Sequence, residues 1–215
     1  MRKITINLAA VAAFCIVVAS PALVSSSCAT PKTEQEDTTI IREDSGITAL
    51  KYSSPEVPAS IEFCGKTIDL SRFDRHERMD RELLAFTYMH STSLQMLKKA
   101  NRYFPIVEPI LKENGIPDDF KYLMVIESNM NPTARSSAGA AGLWQFMQGT
   151  GRDYGLEVNN NVDERYHIEK ATRAACRDLK DAYAKYKDWV AVAASYNAGQ
   201  ARIASQLAKQ DVDDS

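Results

Sequence analysis

The sequence predicts an all-α fold that follows a small β-hairpin. From residue 74 to residue 209 apolar side chains recur every three or four residues, which is the period of amphipathic helices, and no strand-like alternation interrupts them. Only residues 61–70 alternate apolar and polar side chains, around Gly65, as a hairpin does. Among 215 residues, 45% are hydrophobic and 25% charged, a globular composition with room for one domain of ordinary size.

The first residues predict export from the cell. Arg2 and Lys3 precede an apolar run over residues 8–18, and small residues follow at 25–27. This is the layout of a secretory signal peptide, which we place at residues 1–27. The apolar run is too short for a membrane anchor, since a spanning helix takes about 20 apolar residues.

Charge and composition indicate which partners the chain lacks and how the residues after the signal peptide are organised. The formal net charge is −2, so the basic excess typical of nucleic-acid-binding proteins is missing, and we expect no nucleic-acid partner. Residues 28–60 are rich in Thr, Glu, Asp, Ser and Pro, a composition that favours a polar linker. Residues 61–73 then form either the hairpin or an irregular arm that packs on the domain at 74–209.

The four cysteines do not indicate a disulfide framework. Cys15 leaves with the signal peptide, and Cys64 and Cys176 show no repeated spacing, so we expect two separate buried thiols. Cys28 follows three serines, which resembles a bacterial lipobox without its usual Leu. Two outcomes stay open for Cys28: lipidation, which would anchor the chain in the outer membrane, or cleavage nearby that leaves a free thiol.

The helices before the loop at Pro132 follow from periodicity and from breakers. Leucines spaced among charged residues predict one long helix from Asp74 to about Asn101. A short helix is expected between Pro105, which can open it, and Gly115, which can end it. Acidic residues then mark the first turn of a helix over 117–128, and Pro132 prevents it from continuing.

Three further helices are predicted beyond the glycine-rich stretch at 139–142. The first runs from about Trp144 to Tyr154, where Gly155 stops it. A loop over 156–167 follows, and then alanines at helical spacing predict a helix over 171–185. The last clear helix covers 189–196, and a final segment extends to about residue 209.

Glu127 is the candidate catalytic acid. Phe120, Leu123 and Met124 precede it at positions that place Glu127 on the apolar face of its helix. It also lies in the last turn, where the helix dipole presents negative potential. Both effects disfavour the carboxylate and raise the pKa, and a carboxylic acid that is protonated near neutral pH suits general acid catalysis at a glycosidic oxygen. The alternative is an exposed glutamate at a frayed helix end.

The residues around this acid suit a sugar-binding site. Small side chains over 134–142 let a ligand approach the backbone closely. Amides and hydroxyls that can orient a substrate stand at Ser136, Gln145 and Asn197. Aromatic faces for sugar rings are available at three positions, although each is also a common core residue: Trp144, Tyr154 and Tyr196.

Three ordered segments resemble the motifs of soluble-type (SLT) lytic transglycosylases, and most closely the membrane-bound transglycosylase D subgroup. Residues 125–132 carry the Glu-Ser motif, residues 139–147 the Gly-Leu-(Met/Trp)-Gln motif, and residues 196–199 the Tyr-Asn motif. The segments 163–165 and 171–175 also look like that subgroup. The resemblance covers roughly residues 75–205 and implies a lysozyme-like α fold.

The resemblance also implies a reaction without a metal or organic cofactor. Peptidoglycan glycan strands would be cut between N-acetylmuramic acid and N-acetylglucosamine, and the C6 hydroxyl of the muramic residue, not water, would close a 1,6-anhydro ring. Glu127 would perform both proton transfers. By the same likeness, Ser136 and Gln145 bind the sugar, Tyr196 orients the acid, and Asn197 supports them.

Two alternative hypotheses about the function stay open. A hydrolytic muramidase needs a second carboxylate, for which only Asp163 and Glu164 qualify, and their place beside Arg165 favours a structural ion pair. A non-catalytic glycan-binding module of the envelope is the second reading. Relatives usually continue past the Tyr-Asn helix with helices that close the groove, so we expect a short relative or a truncated chain.

Overall fold

The computed structural model describes residues 55–198, and within them the all-α prediction is confirmed. The described elements are a hairpin, six α-helices and two short 3₁₀ helices at Asp118–Phe120 and Glu164–Tyr166. The hairpin and helices are β1 (Ser60–Phe63), β2 (Lys66–Asp69), α1 (Phe73–Tyr88), α2 (His90–Glu113), α3 (Lys121–Ser128), α4 (Gln148–Asp153), α5 (Ile168–Tyr186) and α6 (Trp189–Ala198).

Several predictions concern residues outside the described range. These are the signal peptide at 1–27, most of the linker at 28–60, the fate of Cys28 and the segment that ends near residue 209. Between residues 55 and 198, no helix combines the length and the hydropathy that crossing a bilayer requires.

The hairpin is docked on the helices. Its strands pair antiparallel, and Cys64 and Gly65 form the turn with φ of +50° and +77°. A two-residue turn with both φ positive matches the right-handed twist of the strands. The backbone N–H of Cys64 donates to the Asp119 carboxylate at 2.7 Å, and Phe63 is fully buried in the main core. The turn is thereby fixed to the 3₁₀ helix that precedes α3.

The predicted single helix from Asp74 to Asn101 is wrong, because the chain breaks between α1 and α2. Met89 has φ −78° and ψ +47° and ends α1. Met79 and Leu83 of α1 pack in a small cluster with the hairpin, whereas Met96 of α2 packs in the main core. One straight helix would not serve both clusters, so the bend allows each amphipathic face to be buried.

Pro105 was expected to open a new helix, but α2 runs through Pro105 and Pro109 to Glu113. Each proline removes one helical hydrogen bond. Phe104, Val107 and Leu111 alternate with the prolines and are completely buried, and their packing outweighs this local cost. Tertiary packing therefore overrides the local preference.

The helix expected from Trp144 to Tyr154 is shorter, because only Gln148–Asp153 is helical. Ala141 and Phe146 instead exchange backbone hydrogen bonds of 3.0 and 3.2 Å, which closes a tight turn over the intervening residues. Within that turn Gln145 has φ +50°, which a helix does not allow. Gly155, with φ +81°, follows the helix end as predicted.

The two described cysteines are free thiols, as predicted, but the expectation that both are buried is wrong for Cys64. Cys176 is buried in the core, whereas Cys64 is only half-buried. Burial raises the pKa of the Cys176 thiol to about 11, so this thiol stays protonated and unreactive at neutral pH.

Trp144 is anchored in the core by α5. Four of the five alanines of α5 are buried, and Thr172, which lies between two of them, is completely buried. The indole Nε1–H of Trp144 donates to Thr172 Oγ1 at 2.9 Å, and that hydroxyl donates to the carbonyl of Ile168 at 2.7 Å. Both polar groups of this contact are therefore satisfied inside the core.

Replacing Thr172 by Val is expected to lower the free energy of unfolding by about 1–3 kcal/mol, because the buried indole N–H loses its acceptor while the side-chain volume is kept. Urea denaturation measures the effect. The matched control is Thr67→Val at an exposed position of β2, which should change stability by less than about 0.5 kcal/mol. Equal effects of the two substitutions would contradict the assigned hydrogen bond.

Candidate active site

Glu127 lies in the last turn of α3, half-buried beside the core residues Leu123 and Met124. Burial raises the pKa of its carboxyl group to about 7. No charged neighbour among the described residues contributes to this pKa, so shelter from water is the cause. The side chain can therefore carry a proton near neutral pH.

The chain turns sharply just after this acid. Asn129 and Met130 both have positive φ, +49° and +51°, and end α3. The hydroxyl of Ser128 is buried and donates to the carbonyl of Met124 in its own helix, at 3.0 Å. Ser128 therefore stabilises the helix end, and the loop that carries the other predicted site residues begins two residues beyond it.

Ser136 forms a compact turn in that loop. Its backbone N–H donates to the carbonyl of Ala140 at 2.9 Å, its Oγ accepts from the Ala140 N–H at 3.0 Å, and its carbonyl accepts from Gly139. The side chain is exposed. The hydroxyl hydrogen can therefore be donated to a ligand while the oxygen is held in place.

Gln145 is held by the same loop from the other side. Its amide nitrogen donates to the carbonyl of Gly142 at 2.8 Å and to that of Ala134 at 3.3 Å. The side chain is half-buried. Because both hydrogens of the amide are engaged, the amide oxygen is the end that can accept a bond from a ligand.

Tyr196 connects α6 to this loop. Its hydroxyl donates to the carbonyl of Trp144 at 2.8 Å. Burial raises the pKa of the hydroxyl well above its usual value, and the negative charges of Asp178 and Glu127 add to the shift. Tyr196 and Glu127 are therefore close enough to interact electrostatically.

The three aromatic candidates differ in their surroundings. Trp144 is completely buried, so it is a core residue and offers no face to a sugar. Tyr154 is half-buried and hydrogen-bonded to Asp178, whose own carboxyl pKa is raised by burial. Of the three, Tyr154 and Tyr196 retain partial exposure.

The rival carboxylates are both engaged in structural contacts. Asp163 accepts two hydrogen bonds from the guanidinium of Arg165, at 2.9 and 2.7 Å, and these bonds lower its pKa. Glu164 accepts from the backbone N–H of Glu157 and from Lys170. The ion pair expected beside Arg165 is therefore present, and neither acid resembles a sheltered catalytic group.

Sequence reasoning did not single out Thr172, Asp178 or the bonds of Arg165 to the carbonyls of Gly139 and Phe146. Their partners lie far along the chain, so no local pattern points to them. Asn197 falls in α6, but its side chain is outside the described set, as is Cys28. In the described part of the chain, no three His, Cys, Asp or Glu side chains gather as metal ligands would.

Comparison of the sequence with those of known proteins identifies relatives of this chain. The chain is similar to membrane-bound lytic murein transglycosylase D of Escherichia coli (strain K12), at 31% identity over 128 residues, which are 59% of this chain and 27% of the relative. It is also similar to peptidoglycan transglycosylase gp16 of Escherichia phage T7, at 33% identity over 93 residues, 42% of this chain and 7% of that protein.

The chain thus spans about a quarter of the first relative's length. The family model described as the transglycosylase SLT domain matches residues 105–214, just over half of the chain. That range includes Glu127, the loop with Ser136 and Gln145, and Tyr196. The protein therefore belongs to the family of the transglycosylase SLT domain.

Proposed function

We propose that the protein is a peptidoglycan lytic transglycosylase. It cleaves the β-1,4 bond between N-acetylmuramic acid and N-acetylglucosamine and leaves 1,6-anhydromuramic ends. The observation that carries this proposal is Glu127, an acid whose pKa is raised to about 7 by burial alone. The names of two relatives, a murein and a peptidoglycan transglycosylase, agree with this substrate.

Glu127 acts first as an acid and then as a base. The protonated carboxyl gives its proton to the glycosidic oxygen as the bond from that oxygen to C1 of the muramic residue breaks. The resulting carboxylate accepts the proton of the C6 hydroxyl, whose oxygen forms the new bond to C1. The proton is thus restored to Glu127, no water is consumed, and one carboxyl group suffices.

The other site residues hold this acid and the sugar. The hydroxyl of Tyr196 is fixed by the Trp144 carbonyl, and we assign to it the role of orienting the carboxyl group of Glu127. Ser136 and Gln145 contribute a hydroxyl hydrogen and an amide oxygen to the substituents of the sugar. Asn197 follows Tyr196 in the sequence, and the family resemblance is the ground on which we propose a supporting role for it.

A hydrolase is less consistent with this site. The usual glycoside hydrolases place a second carboxylate about 5–9.5 Å from the acid, as a nucleophile or to activate water. Asp163 is committed to Arg165, and Glu164 to Lys170. The charge of neither contributes to the pKa of Glu127.

Mass spectrometry of the muropeptides that the purified mature chain releases from sacculi tests the proposal. Anhydromuramic ends are expected. Reducing ends would identify a hydrolase instead. No release at all would contradict an enzyme and favour a non-catalytic glycan-binding module.

The pH dependence of activity should follow the proton on Glu127. We expect kcat/KM to fall with a basic limb centred near pH 7, so that the value at pH 9 is about a hundredfold lower than on the acidic plateau. Release of dye from labelled sacculi at constant ionic strength measures this. A limb near pH 4.5, the ordinary value for a glutamate, would contradict the proposed shelter.

The proposed site of action is the cell envelope, after export by the segment at 1–27. Lipidation of Cys28 would hold the enzyme at the outer membrane, with residues 29–60 as the tether. Expression of the full chain with an alkyne-labelled fatty acid tests this step. Labelling that is lost in Cys28→Ser supports the anchor, and an unlabelled, soluble periplasmic product contradicts it.

A further inference from the structure

We infer that Arg165 is a positioning residue that sets the distance between the two substrate-binding turns of the site, those of Ser136 and Gln145. The inference rests on the proposed function, because that function is what makes the two turns substrate-binding. It is based on contacts of Arg165 that involve neither Glu127 nor Tyr196.

Arg165 is only 1% exposed, yet it carries a full charge. Its Nε and Nη2 donate to the two oxygens of Asp163. Its Nη1 donates twice, to the carbonyl of Gly139 at 2.8 Å and to that of Phe146 at 2.9 Å. Four donors of one planar group are thus directed to three separate residues.

The two carbonyls belong to the two turns. Gly139 closes the turn of Ser136, because its N–H donates to the Ser136 carbonyl. Phe146 follows Gln145 directly and pairs with Ala141. A single nitrogen therefore joins the ends of both turns and fixes their separation.

Close backbone packing keeps Arg165 in register with the loop. Gly142 lies against the Arg165 carbonyl so closely that an added Cβ would come within 1.9 Å of the oxygen. On the other side, a Cβ on Gly151 would meet Cγ of Arg165 at 3.3 Å. Neither the backbone nor the stem of the side chain can shift independently of the loop.

The geometry of the guanidinium explains why this position holds an arginine. A lysine would bring one point charge with three donors on a flexible stem, and it would not reach Asp163 and both carbonyls in one plane. A methionine would fill the space and remove the guanidinium donors from the carboxylate and from both carbonyls.

Arg165 acts on binding and not on the proton of Glu127. The charge of Arg165 does not contribute to the pKa of Glu127. Loss of the guanidinium should therefore leave the basic limb of the pH profile unchanged. Since Ser136 and Gln145 hold the sugar both before and during the reaction, their displacement should mainly raise KM.

The test compares Arg165→Lys and Arg165→Met with Arg152→Lys. Arg152 is an arginine of α4 whose Nε also donates to a backbone carbonyl, that of Val158 at 2.8 Å. On soluble glycan strands we expect KM to rise about tenfold for the Lys variant and up to about a hundredfold for the Met variant. The control should stay within about twofold, and kcat per folded molecule within about threefold.

A merely structural role predicts another result, in which kcat falls with the folded fraction while KM and the pH limb stay unchanged. That result in Arg165→Lys would overturn the inference, even if Arg165→Met does not fold. An inactive wild type would refute the proposed function alone. Hydrogen exchange then decides about Arg165: at least tenfold faster exchange at the Gly142 and Phe146 amides in Arg165→Lys supports the inference, and unchanged exchange contradicts it.

Discussion

Glu127→Gln is expected to lower glycan cleavage at least about 1,000-fold and, at pH 8, to make the protein more stable. The amide has nearly the shape of the acid but cannot donate or take up the proton. It also carries no charge, so the half-buried position no longer holds a carboxylate at this pH.

The size and sign of the stability gain follow from the pKa. In the unfolded chain the pKa of Glu127 has its ordinary value of 4.5, and in the folded protein the pKa is about 7. Between these values the folded state binds more protons, so the native protein loses stability as the pH rises from 4.5 to 7. The difference corresponds to about 3 kcal/mol above pH 7 and vanishes below pH 4.5.

Urea denaturation of the wild type and the variant at pH 4 and pH 8 measures this effect, and release from labelled sacculi measures activity. Glu77→Gln, at an exposed position of α1, is the matched control and should change neither quantity appreciably. A variant with wild-type activity would exclude Glu127 as the acid. Equal stability at pH 8 would show that the carboxylate is well solvated.

The second large effect is expected at Gly142, where alanine should cost more than about 4 kcal/mol of the free energy of unfolding. A Cβ there would meet the backbone oxygen of Arg165 at 1.9 Å and its carbonyl carbon at 2.8 Å. The clash is with backbone, so no rotamer change relieves it. The φ of +78° adds strain for any residue with a Cβ.

Gly139→Ala is the control, because it separates the clash from the strain. Gly139 has φ +91°, but an added Cβ has nothing within 4 Å, so the expected cost is only the backbone strain of about 1–2 kcal/mol. Thermal and urea unfolding of both variants give the comparison. Equal costs would mean that the backbone at Gly142 can move away from Arg165.

Local patterns in the sequence predicted those features that depend on neighbours along the chain. The apolar spacing before Glu127 placed the acid on the buried face of its helix, and the structure has it half-buried there. Alternation around Gly65 predicted a hairpin, and strands at Ser60–Phe63 and Lys66–Asp69 form it. Each of these is a short-range property that a periodic pattern can express.

Features that depend on distant contacts could not be predicted in this way. The prolines of α2 look like helix starts until the burial of Phe104 and Leu111 is known. The turn at Gln145 replaces a helix because Ala141 pairs with Phe146. The bonds of Arg165 join residues 19 and 26 positions away, a distance over which the sequence shows no period.

The position of Trp144 has a spectroscopic consequence. The chain has two tryptophans, and the other, Trp189, stacks on Tyr183 with ring centroids 4.1 Å apart. In a Trp189→Phe protein, all indole emission would come from Trp144. Its ring is buried, and its backbone carbonyl accepts a hydrogen bond from the Tyr196 hydroxyl. The emission wavelength of Trp144 would report in real time whether the loop beside Glu127 stays packed when a glycan strand binds.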